Sequence, residues 1–295
     1  MKRLTARFCA LTLVLAGISS PASAELIYGI AAVGNSTALL SWDSSAPGSI
    51  LSGSFVAGLQ SNETIVGIDF RPATGQLWAL GTSSRLYTLN TSTGFASNQS
   101  GSSFVPALNG FNFGFDFNPT IDRIRAVAET NKNTVLNPIT GAVQLSATDL
   151  FFGPADPNFG VDPNVVNSAY TNNFVGAGVT QLYGIDSALD ILVTQANNAG
   201  TLGTVGPLGT NATGVGGFDI SGTTGIAYAS LLPSGSSQSN LYSINLATGL
   251  ATNLGQIDGG VIITAISVVP AIPEPATMAL AGMALAAIPL VRRRG

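Results

Sequence analysis

Three aspartates stand at equivalent places in a repeated phrase and are the residues of this sequence best suited to bind a metal ion. The phrase reads Gly-x-Asp and places carboxylates at Asp69, Asp116 and Asp219. Three carboxylates around a central channel could bind a hard cation such as calcium through oxygen ligands. In the alternative, each Asp caps a turn or accepts hydrogen bonds from amides of a neighbouring repeat, which leaves the carboxylates well apart. We favour this alternative, because a residue that recurs in repeats usually serves the repeat, and we expect no metal or other cofactor.

The residue types that are missing limit the chemistry further. The sequence has no His, and its single Cys, Cys9, lies in an N-terminal apolar run. The lack of His excludes Ser-His-Asp and Cys-His catalysis and zinc sites built on imidazole. Hydrolysis of a glycan needs two carboxylates with separated pKa values, and the glutamates inside the domain, Glu63 and Glu129, each fall in a presumed loop. We therefore predict no enzymatic activity; a glycan hydrolase or lyase that uses the three aspartates is the alternative.

Two weaker groups of residues could also bind a ligand. The segment from Thr148 to Asn167 offers several oxygen ligands, but their spacing does not match an EF-hand loop, so we expect an ordered surface loop without metal. Six aromatic residues could form a platform for stacking sugars, but strand-like spacing favours burial in the core. They are Trp42, Phe55, Trp78, Phe104, Phe111 and Phe113.

The elements that carry these residues repeat with a period typical of propeller blades. Every landmark of the unit that begins at Gly67 recurs 47 residues later, from Gly114, and a third copy begins at Gly217. Two degraded copies bring the number to five, each with about four short strands, as in a β-propeller. The copy at Leu26 lacks a leading strand, and residues 264–270 have the missing pattern. We predict that this C-terminal strand completes the first blade and closes a ring; a β-sandwich or a β-solenoid is the alternative.

The N-terminal residues have the pattern of a secretory signal peptide. Basic residues precede an apolar run over 8–18, and the small residues 22–24 end before Glu25. This order predicts that residues 1–24 are a signal peptide, which signal peptidase cuts between Ala24 and Glu25. The propeller-like domain is then expected over 25–270.

The C-terminal residues have three parts in a fixed order. Pro273, Glu274 and Pro275 precede an apolar stretch over 276–291, and three arginines follow. Residues 271–295 resemble the PEP-CTERM sorting signal, in which an exosortase, a membrane cysteine protease, processes the Pro-Glu-Pro segment. The resemblance implies a Gram-negative source that makes extracellular polysaccharide. The terminal arginines would stay on the cytoplasmic side, so the apolar stretch is expected to be a transmembrane helix that anchors the protein transiently. An ordinary C-terminal anchor is the alternative.

Without its two ends the chain is acidic. Residues 25–273 contain five basic and 14 acidic side chains, a net charge of −9. Nucleic acid is therefore an unfavourable partner. Polysaccharide or another surface protein is the partner that the export signals suggest.

Residues 64–141, with the stretches 172–174 and 182–190, resemble the bacterial family called domain of unknown function 4394, and Gly114–Pro119 is its most recognisable phrase. The resemblance spans about residues 26–269. It implies a propeller-like fold and no established activity. We predict an exported, non-enzymatic binding or structural module, displayed on the cell surface or released into the extracellular matrix.

Overall fold

The computed structural model describes residues 24–34 and 36–270, and strands dominate them. Two short 3-10 helices, Asn197–Ala199 and Asp258–Gly260, are the helices of this part of the chain. The strands in chain order are β1 (Leu26–Val33), β2 (Ser36–Asp43), β3 (Ile50–Phe55), β4 (Ile65–Phe70), β5 (Leu77–Gly81), β6 (Arg85–Leu89), β7 (Ala96–Asn98), β8 (Phe113–Asn118), β9 (Arg123–Ala128), β10 (Asn133–Leu136), β11 (Val143–Ser146), β12 (Phe151–Phe152), β13 (Val165–Tyr170), β14 (Leu182–Asp186), β15 (Ile191–Ala196), β16 (Thr201–Pro207), β17 (Ala212–Ile220), β18 (Ala227–Pro233), β19 (Asn240–Ile244), β20 (Ala251–Gln256) and β21 (Ile262–Val268).

These strands form five small sheets, which are the five blades of a propeller. From the inner strand outwards, blade 1 is β21-β1-β2-β3, blade 2 is β4-β5-β6-β7 and blade 3 is β8-β9-β10-β11. Blade 4 is β13-β14-β15-β16-β12 and blade 5 is β17-β18-β19-β20. Each inner strand contacts the inner strand of the next blade, and β21 contacts β4, so the five sheets make a closed ring. The predicted five-bladed propeller is confirmed, and the sandwich and solenoid alternatives are wrong.

The C-terminal strand completes the first blade, as the sequence predicts. Strand β21 pairs antiparallel with β1, with Ile27 opposite Val268 and Gly29 opposite Ile266. The Val269 N–H also donates to the Leu26 carbonyl oxygen at 2.9 Å. This pairing gives blade 1 its inner strand, so each of the five blades contributes one inner strand to the ring.

Two faces of the ring are distinguished by the direction of the inner strands. The upper face is the end at which the inner strands begin, for example at Ile65 and Phe113, and the lower face is the end at which they finish, for example at Phe70 and Val268. Because β1 runs antiparallel to β21, Leu26 lies beside Val268. The described domain therefore begins and ends at the lower face.

The segment from Thr148 to Asn167 is more than a surface loop. It contributes β12, which pairs parallel with β16 and adds a fifth strand to blade 4. Asp156, further along the segment, also bonds to β16. Its carboxylate accepts hydrogen bonds from the Thr204 N–H and the Thr204 hydroxyl. The insertion is thus part of the sheet.

The apolar core lies between blades. Five buried clusters are found among the described residues, and each joins side chains of two neighbouring blades. Trp42 of blade 1, for example, is fully buried against Tyr228 and Leu241 of blade 5. Because burial of apolar surface is the main stabilising term, each blade depends on its two neighbours.

Candidate functional site

Three inner strands bring the predicted aspartates together on the propeller axis. Asp69 lies on β4, Asp116 on β8 and Asp219 on β17. Their side chains are 0%, 1% and 1% exposed, and one oxygen of each lies within 4.8 Å of the others. The expectation that these carboxylates lie well apart is therefore wrong.

The reason is the close approach of neighbouring inner strands. A Cβ atom on Gly67 would overlap Phe115 of the next blade, and one on Gly217 would overlap the backbone of Ala265 and Ile266. Side chains two positions apart on a strand point to the same side, so each following Asp also points towards the next blade. Close strands and a common direction force the carboxylates to converge.

Each carboxylate accepts a hydrogen bond from a backbone amide of the next blade. Phe117 N–H donates to Asp69 Oδ2 at 2.8 Å, Tyr170 N–H to Asp116 Oδ1 at 3.2 Å, and Val268 N–H to Asp219 Oδ2 at 2.6 Å. These bonds tie blade 2 to blade 3, blade 3 to blade 4 and blade 5 to blade 1. The expected hydrogen bonds from amides of a neighbouring repeat are therefore present, although the carboxylates lie close together and not well apart.

Ser267 takes the place of an aspartate in blade 1. Its hydroxyl oxygen accepts from Phe70 N–H at 3.0 Å. It lies 2.9 Å from Asp69 Oδ1 and 3.1 Å from Asp219 Oδ2, so its single proton can go to either carboxylate. Blade 4 departs from the pattern, because it has Tyr170 at this position. The Tyr170 hydroxyl donates to Asn197 Oδ1 and accepts from Arg125 Nε.

Burial dominates the electrostatics of this cluster. Burial raises the pKa of Asp69 and of Asp116 well above the usual value, and the charges of neighbouring aspartates raise both further. Burial also raises the pKa of Asp219, to about 6. Asp116 Oδ2 has no hydrogen-bond partner among the described residues. The cluster therefore needs a positive charge or protons to complete it.

The channel above the cluster is nearly closed. Its cavity has a volume of about 10 Å³ and is lined by Gly67, Gly114, Gly217 and their neighbours. This is room for about one water molecule. A sugar cannot reach the carboxylates along this path.

The channel opens at the upper face into a depression of about 300 Å³. None of the described residues that line this upper-face depression is charged. Phe111 stands on its rim with 88% of its surface exposed. The polar side chains of the lining are Ser36, Thr37, Thr64, Asn112 and Thr264.

Glu129 fixes the rim of the depression. Its two carboxylate oxygens accept from Phe111 N–H at 2.6 Å and from Asn112 N–H at 3.0 Å. Glu63, the other glutamate weighed as an acid or base, accepts from the amide and hydroxyl of Ser83 and from the Tyr87 hydroxyl. Both glutamates are thus engaged in holding loops. The role of Glu129 could not be predicted from the sequence, because its hydrogen-bond partners Phe111 and Asn112 lie in another loop.

The six aromatic residues divide into two groups. Trp42, Trp78, Phe104 and Phe113 are buried, in agreement with the core interpretation. Phe55 and Phe111 are 65% and 88% exposed, so for these two the core interpretation is wrong.

Of the two predicted processing sites, the structure describes the residues on either side of the signal-peptide cleavage, Ala24 and Glu25. Ala24 is exposed, whereas Glu25 is buried and accepts from the hydroxyl groups of Ser221 and Thr224. The rest of the signal peptide and the sorting residues Pro273, Glu274 and Pro275 lie outside the described residues. Within residues 24–34 and 36–270, no helix is long and apolar enough to cross a membrane.

Two sequence families match the chain. The family described as Domain of unknown function (DUF4394) matches residues 38–267. The PEP-CTERM protein-sorting motif matches residues 271–294 and identifies an exported protein that an exosortase-type enzyme sorts to the cell envelope or surface. No curated protein matches the chain.

Several solved structures are distantly similar. A chain of the nidogen/laminin complex is 11% identical with a TM-score of 0.47, over 84% of this chain and 98% of that one. Glutaminyl cyclase from Myxococcus xanthus is 12% identical with a TM-score of 0.43, over 73% and 87%. PorZ from Porphyromonas gingivalis is 12% identical with a TM-score of 0.36, over 76% and 27%. Likenesses at this level carry no argument about activity.

Proposed function

The chain belongs to the family of domain of unknown function 4394 and carries a PEP-CTERM motif, and from this premise we propose that it is a non-enzymatic module that binds neutral extracellular polysaccharide. We place the module on the surface of a Gram-negative bacterium or in its matrix after processing. In this proposal signal peptidase removes residues 1–24, and the apolar stretch over 276–291 anchors the chain until the exosortase acts.

The observation that carries this proposal is the upper-face depression. Its lining offers hydroxyl and amide groups without charge, and an exposed phenyl ring stands on its rim. Sugar-binding sites need flat apolar surface for the ring faces and hydrogen-bonding groups for the hydroxyls. With a net charge of −9 over residues 25–273, the domain favours neutral over acidic chains.

The state of the carboxylates supports a binding role over a catalytic one. A glycosidase needs an acid and a base that both reach the scissile bond. Asp69, Asp116 and Asp219 are buried below a cavity of about 10 Å³, and Glu129 is held by two backbone amides. Such groups are unsuited to contact a glycan.

The position of the chain ends also supports a binding site on the upper face. The last strand finishes at the lower face, and the sorting motif follows it directly at residue 271. The five residues from 271 to 275 can span at most about 20 Å. An anchor over 276–291 would hold the lower face towards the membrane and leave the depression facing outwards.

The experiment compares two exposed phenylalanines. Titration calorimetry measures binding of residues 25–270 to the neutral polysaccharides dextran, laminarin and galactomannan, with alginate as the acidic comparison. We expect Phe111→Ala to weaken binding of a neutral chain about tenfold, because it removes one stacking contact. Phe55→Ala, on the outer strand β3 and not part of the lining of the depression, is the control and should leave the affinity unchanged.

Three results would contradict the proposal. Release of reducing ends that disappears in Asp116→Asn would favour the hydrolase or lyase alternative. Preference for alginate would contradict the neutral ligand. Capture of a surface protein, with no affinity for any polysaccharide, would replace the glycan by a protein partner.

A further inference from the structure

We propose that Asp69, Asp116 and Asp219 together bind one calcium ion on the propeller axis, and that this ion stabilises the ring. The inference goes beyond the proposed function, because the site is buried and separate from the upper-face depression. Three features of the cluster support it: an unbalanced charge, an unpartnered oxygen and the distances between the carboxylate oxygens.

The charge of the cluster is not balanced by protein groups. The ion pairs among the described residues are Arg71 with Asp122 and Lys132 with Asp149, and neither includes an axial aspartate. Arg125 lies opposite Asp116 in the strand register, but its guanidinium donates to Tyr170, Asn133 and Asn198. Buried carboxylates without a countercharge are strongly unfavourable.

The unpartnered oxygen points to a missing ligand. Asp116 is 1% exposed, and its Oδ2 atom has no hydrogen-bond donor within reach among the described residues. Buried polar atoms nearly always have a partner. The other carboxylates nearby are acceptors when ionised, so a cation or a shared proton has to complete this oxygen.

The spacing of the oxygens fits calcium. One oxygen from each aspartate lies within 4.8 Å of the other two. Calcium binds oxygen at 2.3–2.6 Å, so one ion can join oxygens that are up to about 5 Å apart, whereas magnesium at 2.0–2.1 Å joins oxygens up to about 4 Å apart. The Ser267 hydroxyl, which contacts two of the carboxylates, and one water in the cavity above can supply further ligands.

The amides around the cluster favour carboxylates that keep their charge. Phe117 and Val268 each donate a backbone N–H to an aspartate of the preceding blade, and Ile220 N–H donates to Asp219 Oδ1 at 2.6 Å. Hydrogen bonds from amides stabilise the ionised form of a carboxyl group. A cation that binds the charged carboxylates would therefore act in the same direction as these donors.

The test is a calcium titration followed by thermal melting at pH 7.5, on residues 25–270 stripped with EDTA. Calcium at about 100 times its Kd should raise the Tm by about 5 to 10 °C, and magnesium should raise it less. Asp116→Asn should abolish the response to calcium. Asp258→Asn, which removes an exposed carboxylate, is the matched control and should respond like the wild type.

Metal content provides a measurement that does not need the variant to fold. Elemental analysis of wild-type protein, dialysed from calcium buffer into chelator-treated buffer, should find one calcium per chain. No bound calcium together with an unchanged Tm would overturn the proposal. An Asp116→Asn domain that keeps the full calcium shift would place the ion elsewhere and would also overturn the proposal.

Discussion

At the residue scale, both the glycine and the aspartate of the Gly-x-Asp phrase depend on the close approach of two inner strands. Its glycine lies where the inner strand of the next blade leaves no room for a Cβ atom, as at Gly217 against Ala265 and Ile266. Its aspartate, two positions on, points the same way and bonds the amide of Val268. The phrase therefore marks where two inner strands lie closest.

Gly217→Ala tests this close approach. The added methyl group would meet backbone atoms, which cannot rotate away, so the inner strands must separate. We expect the free energy of unfolding to fall by about 2 kcal/mol or more in a urea titration. Gly178→Ala is the control, because Gly178 is exposed with nothing within 4 Å of its missing Cβ, and it should change stability by less than about 0.5 kcal/mol. Equal stability of the two variants would mean that the strands are further apart.

Residues that act across blades could not be found from the sequence. The aspartates were visible as a repeated phrase, but their convergence depends on the distance between inner strands, which no local pattern records. Phe111 has the same chemistry as the buried Phe113 two positions on, and only the loop held by Glu129 brings it to the surface. A long-range contact of this kind leaves no periodic signal.

At the element scale, the strands and their order were predictable because their causes are local. Asn90, for example, accepts from Ser92 N–H and Thr93 N–H, and Gly94 then takes a φ of +72°. A turn built this way depends on residue types within five positions, so it recurs wherever the residues recur. Strand β12 was missed, since a two-residue parallel pairing at a sheet edge has no such signature.

The closing strand can be tested at the same scale. Deleting Ile262–Val268 removes the inner strand of blade 1, together with the buried side chains of Ile263, Ile266 and Val268. We expect a loss of at least about 5 kcal/mol, or failure to fold, by thermal melting and circular dichroism. The control ends the chain at Pro270 and should melt as the domain does when it carries the C-terminal tail. A deleted domain that melts at the control's temperature would exclude a closed ring.

At the scale of the whole molecule, stability comes from contacts between neighbours arranged in a circle. The five apolar clusters each belong to two blades, and the axial carboxylates tie three pairs of blades through backbone amides. Cys9 lies in the segment predicted to be removed, so the mature domain would hold no disulfide. Such a ring has no blade that is stable alone.

Processing at both ends should leave this ring intact. We expect intact-mass measurement of the mature protein, from a host that contains the exosortase, to show loss of residues 1–24 and of the residues beyond about Pro273. The closing strand ends at Val268, so a cut near Pro273 spares it. The mature protein should then melt at the temperature of residues 25–270. Surface-located protein that still carries its terminal arginines would favour the ordinary anchor.

The pairing of β1 with β21 also affects the order of folding. Blade 1 has no inner strand until β21, the last strand of the domain, has been synthesised. Contacts between distant parts of a chain form slowly, because the intervening chain must first be brought together. We therefore expect blade 1, and with it the closed ring, to be completed last, when the residues next to the sorting motif become available.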